Sequence, residues 1–218
     1  MKDRKFAVVF AGCGVYDGAE IHETVATLLA IELSGATYQC FAPDFNQYHV
    51  INHFTGEVTK ETRNVLVESA RIARGNIKRL RDFKPDEFDA IIFPGGFGVA
   101  KNLCTFAIDG PDCLVNPVVE KALKDAANAR MPIGALCISP VLIAKILGPV
   151  TVTIGSDEDT VAAIKTLGAN HVVSKGSDIV IDMENNIVST PCYMLDSPIS
   201  DIFEGAKNVV NTLLELME

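Results

Sequence analysis

The stretch Pro132-Ile133-Gly134-Ala135-Leu136-Cys137-Ile138-Ser139-Pro140 decides the reading of the chain. Its first half is a short apolar run of the kind that forms a strand buried on both faces, and a helix is predicted over 139–147. Cys137 falls between the two, with the small residues Ala135 and Ser139 two positions to either side. That is the spacing of a nucleophile elbow, where the turn is sharp and strained and bulky neighbours do not fit. A helix N-terminus behind the thiol favours the thiolate through backbone N–H groups and the helix dipole. The other five cysteines (Cys13, Cys40, Cys104, Cys113, Cys192) lack small flanking residues in a strand-to-helix setting. By composition a buried structural cysteine is the commoner case, and it is the context of Cys137 that marks a reactive thiol.

Working outward, residues 5–11 form an apolar run closed by Gly12-Cys13-Gly14, and 88–93 another closed by Pro94-Gly95-Gly96; both read as buried strands. Further strands are predicted at 37–42 and 150–154, and a hairpin at 179–189 turning at Asn185-Asn186. Helices are predicted at 20–34, where Ile21, Val25, Leu28, Leu29 and Leu33 recur at helical spacing, and at 60–80. Others follow Asn116-Pro117, span 157–167 and start at Ser197-Pro198. Residues 43–59 have no clear period and read as an insertion. Strands alternating with helices predict an α/β fold, a mostly parallel sheet covered by helices on both faces, formed by one domain over 1–218. In that architecture ligands sit at the carboxyl ends of the strands.

Three features lie at those ends. Gly95 and Gly96 can present a backbone N–H to a bound oxygen, with the Ile138 amide as second donor. Glu23 sits one turn into the first helix, and near a cysteine thiolate its carboxyl would be driven towards the protonated form by like charge. Gly12-x-Gly14-x-x-x-Gly18 invites a dinucleotide reading, but its third glycine is one residue late and Asp17 would face the pyrophosphate. His49-x-x-x-His53 has metal-ligand spacing without a third ligand, so no metal is expected. His22 precedes Glu23 and is either a neighbour of the site or a surface residue.

The composition narrows the function classes. The chain has 218 residues, 48% hydrophobic and 22% charged, which excludes a disordered chain. Its net charge of −9 argues against nucleic acid and anionic lipid as partners. The basic run Arg71, Arg74, Lys78, Arg79, Arg81 and Lys84 reads as the solvated face of an amphipathic helix. Six cysteines without a Cys-x-x-Cys pair give neither a disulfide framework nor a zinc ribbon. With no secretory signal and no membrane-length apolar segment, the expected compartment is the cytoplasm.

Residues 12–23, Ile92-Phe93-Pro94-Gly95-Gly96-Phe97-Gly98, the elbow and Thr190-Pro191-Cys192-Tyr193-Met194 together resemble a known family, as do Asn52-His53-Phe54-Thr55-Gly56-Glu57 and Thr151-Val152-Thr153-Ile154-Gly155. This is the ElbB family, named for isoprenoid (lycopene) biosynthesis, in the glyoxalase III and PfpI-like branch of the class I glutamine amidotransferase superfamily. The resemblance implies a flavodoxin-like three-layer sandwich, a homodimer, and Cys137 as nucleophile with Glu23 as its carboxyl partner. It also implies a substrate- and oxyanion-binding set of Gly95, Gly96, Ile138, Asp17 and His22. The implied activity is cofactor-independent conversion of glyoxal, or a related small 2-oxoaldehyde, with water to a 2-hydroxy acid. Relatives with complete triads carry a histidine where Ile154 stands, and His171 reads as structural. PfpI-type peptidases carry histidine where Ile138 stands, and no His-x-Glu pair of amidotransferase subunits occurs. The missing histidine leaves a rival reading, a non-enzymatic cysteine sensor of oxidants or aldehydes. Cys192 stands where alanine is expected, placing a second thiol near the site.

Overall fold

The structure, a computed structural model, describes residues 4–217. The first half of the chain runs β1 (Lys5–Val9), α1 (Ile21–Leu33), β2 (Thr37–Ala42), α2 (Val65–Ile72), β3 (Ile77–Arg79), β4 (Ala90–Phe93) and α3 (Phe106–Asp109). The second half runs α4 (Pro117–Asn128), β5 (Ile133–Leu136), α5 (Ser139–Leu147), β6 (Thr151–Val152), α6 (Glu158–Thr166), β7 (Asn170–His171), β8 (Val180–Asp182), β9 (Ile187–Thr190) and α7 (Ile199–Glu215). Seven strands form one sheet in the order β3-β2-β1-β4-β5-β9-β8, parallel except for β8, while β6 and β7 pair separately.

Strand β1 explains the layering. Phe6, Val8 and Phe10 enter one core with α1 and α7, and Ala7, Val9 and Ala11 enter the other with α4 and α5. Both sets are removed from water, so the sequence of β1 reads as continuous apolar residues. From β1 the chain passes to β2 on one side and later to β4 on the other. The carboxyl ends of β1 and β4 therefore flank a topological switch point, the crevice where such folds bind ligands. Gly134 in β5 keeps the helix layer close: a Cβ there would meet Val209 and Leu213 of α7 at 3.1 and 3.0 Å.

Four details differ from the sequence reading. The helix predicted over 60–80 is only α2: Asn64 caps its start by accepting from the Val67 N–H, and Arg74 and Gly75 in the left-handed region end it. Residues 77–79 instead pair with β2, so the basic run is not one helical face. Four of its six charges have carboxylate partners: Arg71 with Glu68 at 2.7 Å, Arg79 with Asp44 at 2.8 Å, Lys84 with Glu87 at 3.3 Å and Arg81 with Asp82 at 3.9 Å. The hairpin joins Asp182 to Ile187 through four residues, with the Asp182 carboxylate accepting from the Glu184 and Asn185 N–H groups. The run 150–154 contributes only two residues of strand, outside the main sheet.

The fourth difference is the inversion of α1. Most of its predicted core stripe lies outside: Ile21, Val25, Leu29 and Leu33 are exposed and only Leu28 packs, half-buried, against the core, whereas Thr24, Ala26, Thr27, Ala30 and Ile31 are buried. Small residues let α1 approach α7, whose Gly205 and Ala206 are also buried. The threonine hydroxyls return to the helix's own carbonyls, Thr24 to Glu20 and Thr27 to Glu23, which removes the cost of burying them. The long side chains are left on the opposite face.

Candidate active site

Cys137 lies between β5 and α5 with φ +60°, a left-handed conformation that is costly for a side-chain-bearing residue. Two contacts hold it there. The Cys137 N–H donates to Thr190 O at 3.0 Å, and the Ser139 hydroxyl donates to Pro94 O at 2.9 Å. The elbow is thus tied to the ends of β9 and β4.

Glu23 enters from the first turn of α1 and is completely buried. Its Oε2 accepts from Gly95 N–H at 2.9 Å and its Oε1 from Tyr193 N–H at 3.2 Å, and Oε2 and the Cys137 sulfur both face the space that a Gly95 Cβ would fill, 2.6 and 2.9 Å from it. Gly95 is dictated by this contact. A Cβ there would overlap Cys137 and stand 2.6 Å from Glu23 Oε2. The Gly96 and Ile138 N–H groups are directed at the sulfur.

Burial decides the electrostatics. It pushes the Glu23 carboxyl up to about 8, with the nearby Glu20 charge adding to the rise, and this outweighs the two backbone N–H donors. Burial, followed by the Glu23 charge, also holds the Cys137 thiol well above its ordinary range, despite the Gly96 and Ile138 N–H groups. The sequence argument from the helix N-terminus therefore fails for the resting site: desolvation outweighs the dipole. What the dry pair rejects is a second negative charge. Cys192, also at positive φ, is buried beside the pair and its thiol is likewise pushed up, by burial first and then by Glu23 and Cys137.

Cys137, Gly96 and Ile138 line one cavity of about 360 Å³ together with Glu20, Tyr193 and residues from three loops. Gly95 stands behind it, bound to Glu23. Asp17 does not line it: its Oδ2 accepts from Ile51 N–H at 2.7 Å and its Oδ1 lies 3.9 Å from His53 Nε2, so it fastens the 43–59 insertion over the β1 loop. His22 is exposed on α1, and its Nδ1 shares a 2.9 Å hydrogen bond with the Tyr193 hydroxyl. Ile154 is fully buried, and its N–H donates to His171 Nε2 at 3.2 Å, a backbone contact away from the thiol. Among the described residues no group of three or more His, Cys, Asp or Glu side chains could hold a metal.

Two residues escaped the sequence reading. Glu20 caps α1, accepting from Glu23 N–H at 2.7 Å, and contributes a carboxyl to the pocket. An acidic residue three before Glu23 at a helix start was the available signal. Tyr193 places both a backbone donor and a ring at the site, from the short turn after β9; nothing local in its sequence marks that role.

The fold and the elbow site define a class I glutamine amidotransferase-like protein. No family model matches the chain. It is 48% identical over 222 residues to the human "glutamine amidotransferase-like class 1 domain-containing protein 3, mitochondrial", spanning 97% of this chain and 83% of that protein. It is 47% identical to the rat "ES1 protein homolog, mitochondrial", over 97% of this chain and 84% of that one. A crystal structure of an "isoprenoid biosynthesis protein with amidotransferase-like domain" from Ehrlichia chaffeensis superposes with a TM-score of 0.93 at 36% identity, covering 99% of this chain and 100% of that one. Drosophila melanogaster DJ-1beta, at 15% identity, a TM-score of 0.57, and coverage of 98% of this chain and 90% of that one, shares the fold. The chain belongs to the ES1 family of glutamine amidotransferase-like class 1 domain proteins.

The raised Glu23 group has a thermodynamic consequence. In unfolded chains a glutamate ionises near 4.5, but in the folded site it keeps its proton to about 8. Between those values the native state binds more protons than the unfolded state, so its stability falls as pH rises. Urea unfolding from pH 5 to 8 is expected to show wild type losing about 1.4 kcal/mol per pH unit relative to Glu23→Gln. Parallel pH profiles for the two proteins would contradict a proton held on Glu23.

Proposed function

We propose that the protein is a cofactor-independent glyoxalase-like enzyme acting on small 2-oxoaldehydes, with Cys137 as nucleophile. The observation that carries this reading is the buried Glu23 carboxyl, set beside the Cys137 thiol and pushed up to about 8, so that a proton-transfer group of near-neutral strength stands where a carbonyl would bind. The ionised fraction of Glu23, which grows as pH approaches 8, takes the proton from sulfur as it adds to the aldehyde carbon, so the single negative charge passes from the carboxylate to the new oxygen. The Gly96 and Ile138 N–H groups, which face the sulfur, receive the developing oxyanion. In the resulting adduct Glu23 hands that proton to the adjacent carbonyl oxygen, then takes the proton of the former aldehyde carbon and returns it to the adjacent carbon. This gives a thioester bearing a 2-hydroxyl group. Water then cleaves the thioester, releasing the 2-hydroxy acid and restoring the thiol. Overall, glyoxal plus water gives glycolate, with no external oxidant or reductant. This scheme gives Glu23 the proton-shuttle role that a triad histidine would otherwise fill.

Burial speaks for this reading over a sensor. Cys137 is only 6% exposed and its thiol is pushed up, whereas oxidant-sensing cysteines are accessible thiolates. Six free cysteines suit a reducing compartment, and the cytoplasm remains our assignment. The human and rat relatives carry "mitochondrial" in their names. Among the described residues no helix is long and apolar enough to cross a membrane.

The outward stripe of α1 supports a homodimer. Ile21, Val25, Leu29 and Leu33 are exposed and uncharged, on a chain of net charge −9. Such a face meets a second copy of itself without like-charge repulsion, and a two-fold axis across it makes the contact self-complementary.

Two measurements check these proposals. Incubation with glyoxal should yield glycolate, with Cys137→Ala inactive and Glu23→Gln slowed about 100-fold or more; equal glycolate from wild type and Cys137→Ala would sink the reaction. In sedimentation, wild type should run as a dimer and Val25→Glu/Leu29→Glu as a monomer, and a monomeric wild type would remove the α1 interface.

A further inference from the structure

The cavity over Cys137 is larger and less polar than a two-carbon substrate needs. At roughly 30 Å³ per water, 360 Å³ holds about a dozen waters, while glyoxal has only four non-hydrogen atoms. Its walls are mainly apolar: Val15 from the β1 loop, Phe97 and Ala100 after the Gly-Gly turn, Phe106 and Ala107 of α3, and Met194 beyond β9. The Phe97 ring is 49% exposed, an apolar surface left to water.

Charge in the pocket has one sign. Glu20 and Asp157 line it, and no lysine or arginine does. Lys101 stands nearest in sequence, with its Nζ 5.1 Å from the Phe97 ring centre, but its ammonium donates to Tyr16 O at 2.9 Å. A substrate carrying a carboxylate or phosphate would be desolvated against apolar walls and two acidic side chains with no counter-ion. A neutral apolar group would gain from the same walls, about fourfold for each methylene buried.

We propose that the pocket takes a neutral 2-oxoaldehyde bearing an apolar substituent of about six to eight carbons, aryl or branched alkyl, and discriminates against anionic ones. The aldehyde carbon meets Cys137 Sγ and the substituent lies among Phe97, Phe106 and Met194. This rests on the glyoxalase reading of the site. For an aryl substrate the balance is arylglyoxal plus water to the aryl 2-hydroxy acid, by the same internal proton transfer.

Two readouts separate the pocket from the chemistry. The first is the rate at which Cys137 is alkylated, followed by peptide mass with Cys137→Ser as control, using iodoacetamide, N-benzyl iodoacetamide and iodoacetate. Each rate is divided by that of the same reagent with free cysteine. The benzyl reagent should label about tenfold faster than iodoacetamide and iodoacetate about tenfold slower, and Ala107→Trp should cut the benzyl-to-small ratio about fivefold. The second is turnover, where kcat/KM for phenylglyoxal to mandelate should exceed that for glyoxal to glycolate about tenfold or more. Equal normalised labelling rates, or a preference for glyoxal, would overturn the inference while leaving the glyoxalase reading intact. A benzyl preference in labelling with no turnover of either aldehyde would instead overturn the glyoxalase reading and uphold the pocket's selectivity.

Discussion

The site depends on one constraint: a fully buried carboxyl and a nearly buried thiol are held side by side at the foot of the pocket. Glu23 and Cys137 come from elements 114 positions apart in the chain, and three strand ends meet to join them. Gly95 permits the contact by having no side chain, and its N–H fixes the carboxyl. The left-handed Cys137 backbone is kept in place by bonds to Thr190 and Pro94. In this environment ionisation costs more than the surrounding dipoles return, so the carboxyl and the thiol each hold their proton more tightly than in water.

That balance explains what could be read from the sequence and what could not. The elbow and the Gly-Gly turn are legible because strained turns exclude bulky residues, so Gly134, Ala135 and Ser139 around Cys137, and Gly95-Gly96, carry the geometry in their types. The protonation of the thiol is not legible, because it follows from desolvation by residues scattered along the chain, and the helix N-terminus alone points the other way. Glu23 stood out through its family context; Tyr193 contributes a backbone N–H, a group every residue but proline possesses.

The fold shows the same division. Buried parallel strands announce themselves as apolar runs, and α7 presents a stripe that the structure buries: Ile202, Ala206, Val209, Val210 and Leu213. In helix α1 periodicity picks out mainly large side chains, most of which lie on the outside, while Ala26, Ala30, Ile31 and the threonines are buried. The edge strand β3 was hidden in a basic run, two of whose charges are matched by Glu68 and Asp44 from other positions. Asp17, assigned to the site through the family resemblance, instead anchors the insertion that flanks the β1 loop. One end of that loop supplies Val15 to the pocket wall, so the insertion shapes the site indirectly.

The account stands or falls on where the proton of this pair resides. Infrared difference spectra of wild type against Glu23→Gln, recorded across pH 5 to 9, report the Glu23 carboxyl directly. The account predicts a protonated-carboxyl band that persists at neutral pH and disappears around pH 8, following the raised value of this buried group. A band that vanishes near pH 4.5, as for a glutamate in water, would contradict it.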